Sequence, residues 1–157
     1  MVRTLQSRRG MEQRLESKLE QRIDRVREHT APEVNRRLDD MAEASIERTI
    51  TGGRDSIVRR LAQLDSEWDV DRALMMNFAI AGGISFLTGL RRYATSPPFA
   101  PRRKGFLYFF TAQLGFLALH ATAGWCPPVV VFRRLGFRTK TEIETERAVL
   151  TEALGNA

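Results

Sequence analysis

Few side chains in this sequence could do chemistry, and the most reactive is Cys126, the one cysteine of the 157-residue chain. It sits in the run Gly124-Trp125-Cys126-Pro127-Pro128. A thiol beside an apolar segment could carry persulfide sulfur, accept a lipid or pair with a thiol of another chain. His120 lies six residues earlier and could act as its base, but a Cys-His pair needs a third, orienting group that this spacing does not supply. The end of an apolar helix, where Cys126 is expected, also raises a thiol pKa through the negative potential of the helix C-terminus. The plainer expectation is a small packed or interfacial residue. One Cys and two His cannot close a tetrahedral zinc site within the chain. No metal, cofactor, small-molecule substrate or catalytic residue is therefore expected, Cys126 remaining the candidate thiol.

The elements that would position these residues are set by an uneven charge distribution. Positions 1–71 hold 15 acids and 14 bases, whereas the stretch from Arg72 to Lys140 holds ten bases and no acid. Within that stretch, Ala73 to Leu90 and Gly105 to Pro128 carry no charge over 18 and 24 residues. Both meet the length needed to cross a hydrocarbon core of about 30 Å. The loop Thr95-Ser96-Pro97-Pro98-Phe99-Ala100-Pro101 cannot continue a helix, so it turns the chain between two transmembrane helices. Trp68 and Trp125 fall at the interfaces, and Arg91, Arg92, Arg102, Arg103 and Lys104 stand at the headgroups of the connecting loop. The N-terminus meets charged residues without an apolar leader, and moving such an arm across a bilayer is unfavourable. Both termini are expected in the cytoplasm.

Inside the spans, Asn77, Ala81, Ser85 and Gly89 recur every four residues as a small, polar stripe suited to close helix packing. Gln113 and His120 share a face of the second span, and His120 is expected at the depth of Asn77, where the two could bond. No Asp, Glu, Lys or Arg lies within either span, so a proton or ion pathway lacks its usual carriers.

The flanking segments read as amphipathic helices. Met11, Leu15, Leu19 and Ile23 form a narrow apolar stripe with acids on one shoulder and bases on the other, the pattern of a self-associating helix. Thr30-Ala31-Pro32-Glu33 reads as a capping box opening a helix that ends at Gly52-Gly53. A third helix from Asp55 carries Ile57, Leu61, Leu64 and Trp68 on one face. Thr139 with Glu142 forms a second capping box, opening a C-terminal helix that stops near Gly155. The fold class is all-α: a transmembrane hairpin over 71–137, an arm of amphipathic helices over 1–70 and a short helix over 138–157.

Glu67-Trp68-Asp69-Val70-Asp71-Arg72 before one span, a second span, and the closing Gly124-Trp125-Cys126-Pro127 resemble the YgaP-type inner-membrane domain, a two-helix hairpin of unknown function. The resemblance covers about residues 65–137. It implies a small protein of the bacterial inner membrane. In that family the hairpin also stands behind a rhodanese domain as anchor and association element; the present arm has no rhodanese-like Cys loop, so sulfurtransferase activity is not carried over. The expected function is a non-catalytic anchor, accessory subunit or interaction scaffold, with membrane lipid and a second copy or another membrane protein as partners. A thiol-dependent sulfur or redox role for Cys126 is the alternative. Nucleic acid is not expected as a partner, because the first 71 residues are charge-balanced and the remaining bases flank apolar runs.

Overall fold

The computed structural model describes residues 24–96 and 104–155. Met11, Leu15, Leu19 and Ile23, together with Arg102 and Arg103, lie outside the described residues. Among those described, the chain is all-α, with no strand: α1 (Arg25–Glu28), α2 (Pro32–Thr51), α3 (Arg54–Ser66), α4 (Val70–Thr95), α5 (Gly105–Ala123), α6 (Pro127–Arg134) and α7 (Lys140–Gly155).

Helices α4 and α5 are long and apolar enough to cross a membrane. At 1.5 Å per residue their 26 and 19 residues extend about 39 and 28 Å. They run antiparallel, since partners ascend on one helix as they descend on the other: Asp71 meets His120, Gly82 faces Gln113, and Gly89 faces Phe106. Gly82 and Ser85 are buried at the contact. A Cβ on Gly82 would lie 3.2 Å from Gln113 Oε1, and one on Gly89 would lie 3.3 Å from Phe106 Cβ. The rings of Phe86 and Phe110 meet at 5.4 Å on the flank.

The other helices gather at the end of the hairpin where α4 begins and α5 ends. Gly52-Gly53 breaks the helix between α2 and α3, with Gly53 at φ 75°, so the two fold back as a pair. Helix α7 closes against them around Ile57, Leu64, Ile143 and Leu150, flanked by Ile46 and Leu61. A second apolar cluster, Val26, Val70, Leu74, Cys126 and Val129 with Phe78, Phe132 and Phe137 around it, joins α1 and α6 to the foot of α4. The N-terminal helices are therefore one part of a bundle completed by the C-terminal helix. The expected boundaries at 70 and 137 fall inside this packing: the Val70 amide donates to the Arg138 carbonyl at 2.8 Å.

Several local expectations change. The Thr139–Glu142 capping box forms, with the Thr139 amide donating to Glu142 Oε2 at 2.9 Å and the Glu142 amide to Thr139 Oγ1 at 3.3 Å. The one at Thr30 does not: Ala31 is the N-cap, and Thr30 Oγ1 instead donates to the Val26 carbonyl at 2.7 Å, ending the previous turn. Helix α3 stops at Ser66, which leaves Trp68 in the link before α4 rather than on the α3 face. Pro127 and Pro128 do not merely end the second span. They fill the first turn of α6, where missing amide donors carry no penalty.

Candidate functional site

The most elaborate polar structure lies at the base of the hairpin, where α6 and α7 meet α1, α2 and α3. Arg133 of α6 has no accessible surface. Its guanidinium donates to both oxygens of Glu142, at 2.6 and 2.7 Å, and to the Phe137 carbonyl at 3.1 Å, Asn35 Oδ1 at 2.9 Å and Thr30 Oγ1 at 3.3 Å. These bonds employ all five of its N–H donors, so no donor of the buried guanidinium is left without a partner. Glu142 also accepts from Arg27 at 2.8 Å, and Arg27 in turn pairs with Asp39. Burial alone would raise the Glu142 pKa, but the hydrogen bonds from Arg133, the Thr139 amide and Arg27 hold it below its ordinary value. The Arg27 hydrogen bond holds Asp39 down likewise.

A second cluster repeats the arrangement one turn along α7. Glu146, 1% exposed, accepts from Arg60 at 2.8 and 3.1 Å, from Arg138 and from Ser45 at 3.1 Å. Arg138 reaches on to Glu67 at 2.8 Å in the link leading to α4. Burial again opposes the charge on Glu146, and Arg60 and Arg138 outweigh it, so its pKa is lowered. An open pocket of about 300 Å³ beside this cluster is lined by Arg48, Arg60, Glu67 and Arg138. Carboxylates held ionised by guanidinium groups are acceptors only, without a proton to give near neutral pH. The clusters clamp α7 and α6 to the helices that precede the hairpin.

The candidate thiol is placed differently from expectation. Cys126 is the N-cap of α6 and not the end of α5, which Gly124 terminates in the left-handed conformation at φ 69°. Its sulfur is fully buried among Val26, Val70, Leu74 and Val129. Burial pushes the thiol pKa up, against a lowering from the Val129 amide and with a further raising from Asp71. His120 does not approach it as a base; its Nε2 lies 3.0 Å from Asp71 Oδ1. That contact also replaces the expected His120–Asn77 bond, because Asp71 in the first turn of α4 stands opposite the last turn of α5. Among the described residues no group of three or more His, Cys, Asp or Glu could hold a metal ion.

Within the hairpin, Ser85 and Gln113 are buried, and Asn77, Ala81 and Gly89 are half-buried. Gly82, outside the four-residue stripe, is also part of the contact, facing Gln113, as Gly89 of the stripe faces Phe106. The Gly82-Gly83 pair was its available signal. Gln113 Oε1 is buried and without a hydrogen-bond partner. Trp68 stays exposed with Arg72 over its ring, 5.4 Å from the centroid, and Trp125 is half-buried with its ring 6.5 Å from that of His29. Arg91, Arg92 and Lys104 are exposed at the far end. The clamp residues Arg133, Arg138 and Glu146 carried no sequence signal, since bases flanking an apolar run and an acid among the charges of a C-terminal helix both read as solvated.

Compared with protein-family models, curated proteins and solved structures, the chain matches none. Its fold and its sites therefore carry the functional argument by themselves.

Proposed function

We propose that this chain is a non-catalytic integral membrane protein: a hairpin anchor in a bacterial inner membrane that holds a helical bundle at the cytoplasmic face as an interaction scaffold or accessory subunit. The observation that carries the reading is the outer surface of the hairpin. Met75, Ile84, Leu87, Leu90, Tyr108 and Leu114 are each at least half exposed, along helices whose two ends carry the charges. So much contiguous apolar surface is unfavourable in water and favourable in lipid. The neck supports the same reading. Trp68, Val131 and Leu135 are exposed there, as suits an interfacial belt, and the ionic clamps hold the bundle to the two helix ends. Both ends of the hairpin join one bundle, so the described N- and C-terminal segments share a side; the charged arm favours the cytoplasm. Partners are membrane lipid and a second copy or another membrane protein, as the resemblance to the YgaP-type domain also implies. The burial of Cys126 in an apolar cluster weighs against the thiol-dependent alternative.

The test is an alkaline carbonate wash of membranes from expressing cells. The protein is expected in the pellet, and recovery in the supernatant overturns the proposal. Gly115→Arg places a charge on the outer face of α5, where a Cβ meets nothing within 4 Å. It is expected to reduce the pelleted fraction, because one Arg at a span centre costs about 2.5–3.5 kcal/mol of insertion.

A further inference from the structure

At the end of the hairpin away from the bundle, α4 and α5 leave an open groove of about 720 Å³. Ala81, Ile84 and Ser85 form one wall, Phe106 and Phe109 the other, and Arg92 stands at its mouth. The interior is apolar in effect, since the Ser85 hydroxyl donates to the Gly82 carbonyl at 2.9 Å. The mouth is cationic: Arg92 lies over the Phe106 ring, 4.9 Å from its centroid, and Arg91 and Lys104 are exposed at the same end of the two helices. No Asp or Glu occurs anywhere between Arg72 and Thr141, so no carboxylate of this segment neutralises them.

We propose that this groove binds one anionic phospholipid, its acyl chain along Ala81, Ile84 and Phe109 and its headgroup phosphate on Arg92. The proposal rests on the membrane-anchor reading. Charge complementarity selects the occupant: guanidinium groups match phosphate in a bidentate geometry, and basic pockets between membrane helices suit anionic headgroups. A second copy of this chain in parallel would bring its own Arg91, Arg92 and Lys104 against the same charges. A partner helix packs most closely against small residues, whereas the α5 wall presents the Phe106 and Phe109 rings beside Gly105. The stacking of Arg92 on Phe106 places the cation at the headgroup end of the groove before a lipid arrives, which reduces the ordering cost of binding.

The experiment is native mass spectrometry of the full-length protein in detergent, given equal amounts of phosphatidylglycerol and phosphatidylcholine. The expected result is one retained phosphatidylglycerol per chain, preferred over phosphatidylcholine. Arg92→Gln is expected to lower that retention about fivefold, while Lys140→Gln, on the bundle, leaves it unchanged. Ala81→Phe fills the groove and is expected to lower retention of both lipids; because it can also disturb the hairpin, Arg92→Gln decides the matter. Equal retention of the two lipids, or retention unaltered by Arg92→Gln, overturns the proposal, as does a dimer that Ala81→Phe dissociates, which would assign the groove to a second copy. Carbonate pelleting of the same proteins separates the two readings: a pelleted protein without lipid preference loses only the lipid site, and a soluble one loses the anchor.

Discussion

Arg133 and Glu142 face each other across the base of the hairpin with two hydrogen bonds of 2.6 and 2.7 Å, the guanidinium wholly inaccessible to solvent. One lies on the helix that leaves the second span and the other on the helix that closes the bundle. Removing the carboxylate would leave an uncompensated buried cation, the circumstance in which breaking an ion pair costs most.

Glu142→Gln is therefore expected to destabilise the bundle by about 3–5 kcal/mol, read as a large fall in the thermal midpoint of the detergent-solubilised protein. Thr139→Ala removes only the hydroxyl half of the capping box and should cost about 1 kcal/mol. Equal effects of the two substitutions would mean that Glu142 acts as a cap and not as the counter-ion of Arg133.

Acidification should release the same clamps. The folded-state pKa values of Glu142 and Glu146 are both lowered, so these residues contribute stability that is fully present above the unfolded pKa. That contribution begins to fade near the ordinary glutamate value of about 4.3 and is lost as pH falls through the depressed values. Melting curves from pH 7 to pH 3 should show a plateau followed by a fall at the acidic end. A loss centred near neutral pH would contradict this account.

Gly124 is required twice over. Its φ is 69°, and a Cβ there would lie 2.5 Å from the Cβ of Arg25, so α1 can pass only over a glycine. Gly124→Ala is expected to cost upwards of about 1–2 kcal/mol from the left-handed backbone alone. Gly83→Ala, where a Cβ meets nothing within 4 Å in mid-helix, should be neutral or stabilising. Comparable losses for both variants would show that the hairpin tolerates no added methyl group and that Gly124 is not special.

Cys126 should resist maleimide in the folded protein near neutral pH and react on denaturation, because its sulfur is buried and its pKa raised. Rapid labelling of the native protein would restore it as a candidate for chemistry.

The sequence by itself determined the elements whose cause is local. Uncharged runs at 73–90 and 105–128 announce two long apolar helices, Gly52-Gly53 a break, and Thr139 with Glu142 a cap, because chain length, backbone freedom and side-chain reach act within a few residues. The tertiary structure decided whatever depends on which elements meet. Thr30 caps nothing because Val26 offers its carbonyl; His120 finds Asp71 because the helix ends stand opposite; Gly82 joins Gly89 in the contact because Gln113 faces it. The clamps were the least legible. Arg133 and Glu142 are nine residues apart, but Arg27 and Asn35 reach them from about a hundred residues away, and a charge is stable in the interior only when such partners converge in space. Spacing along the chain records the local causes and carries no trace of that convergence.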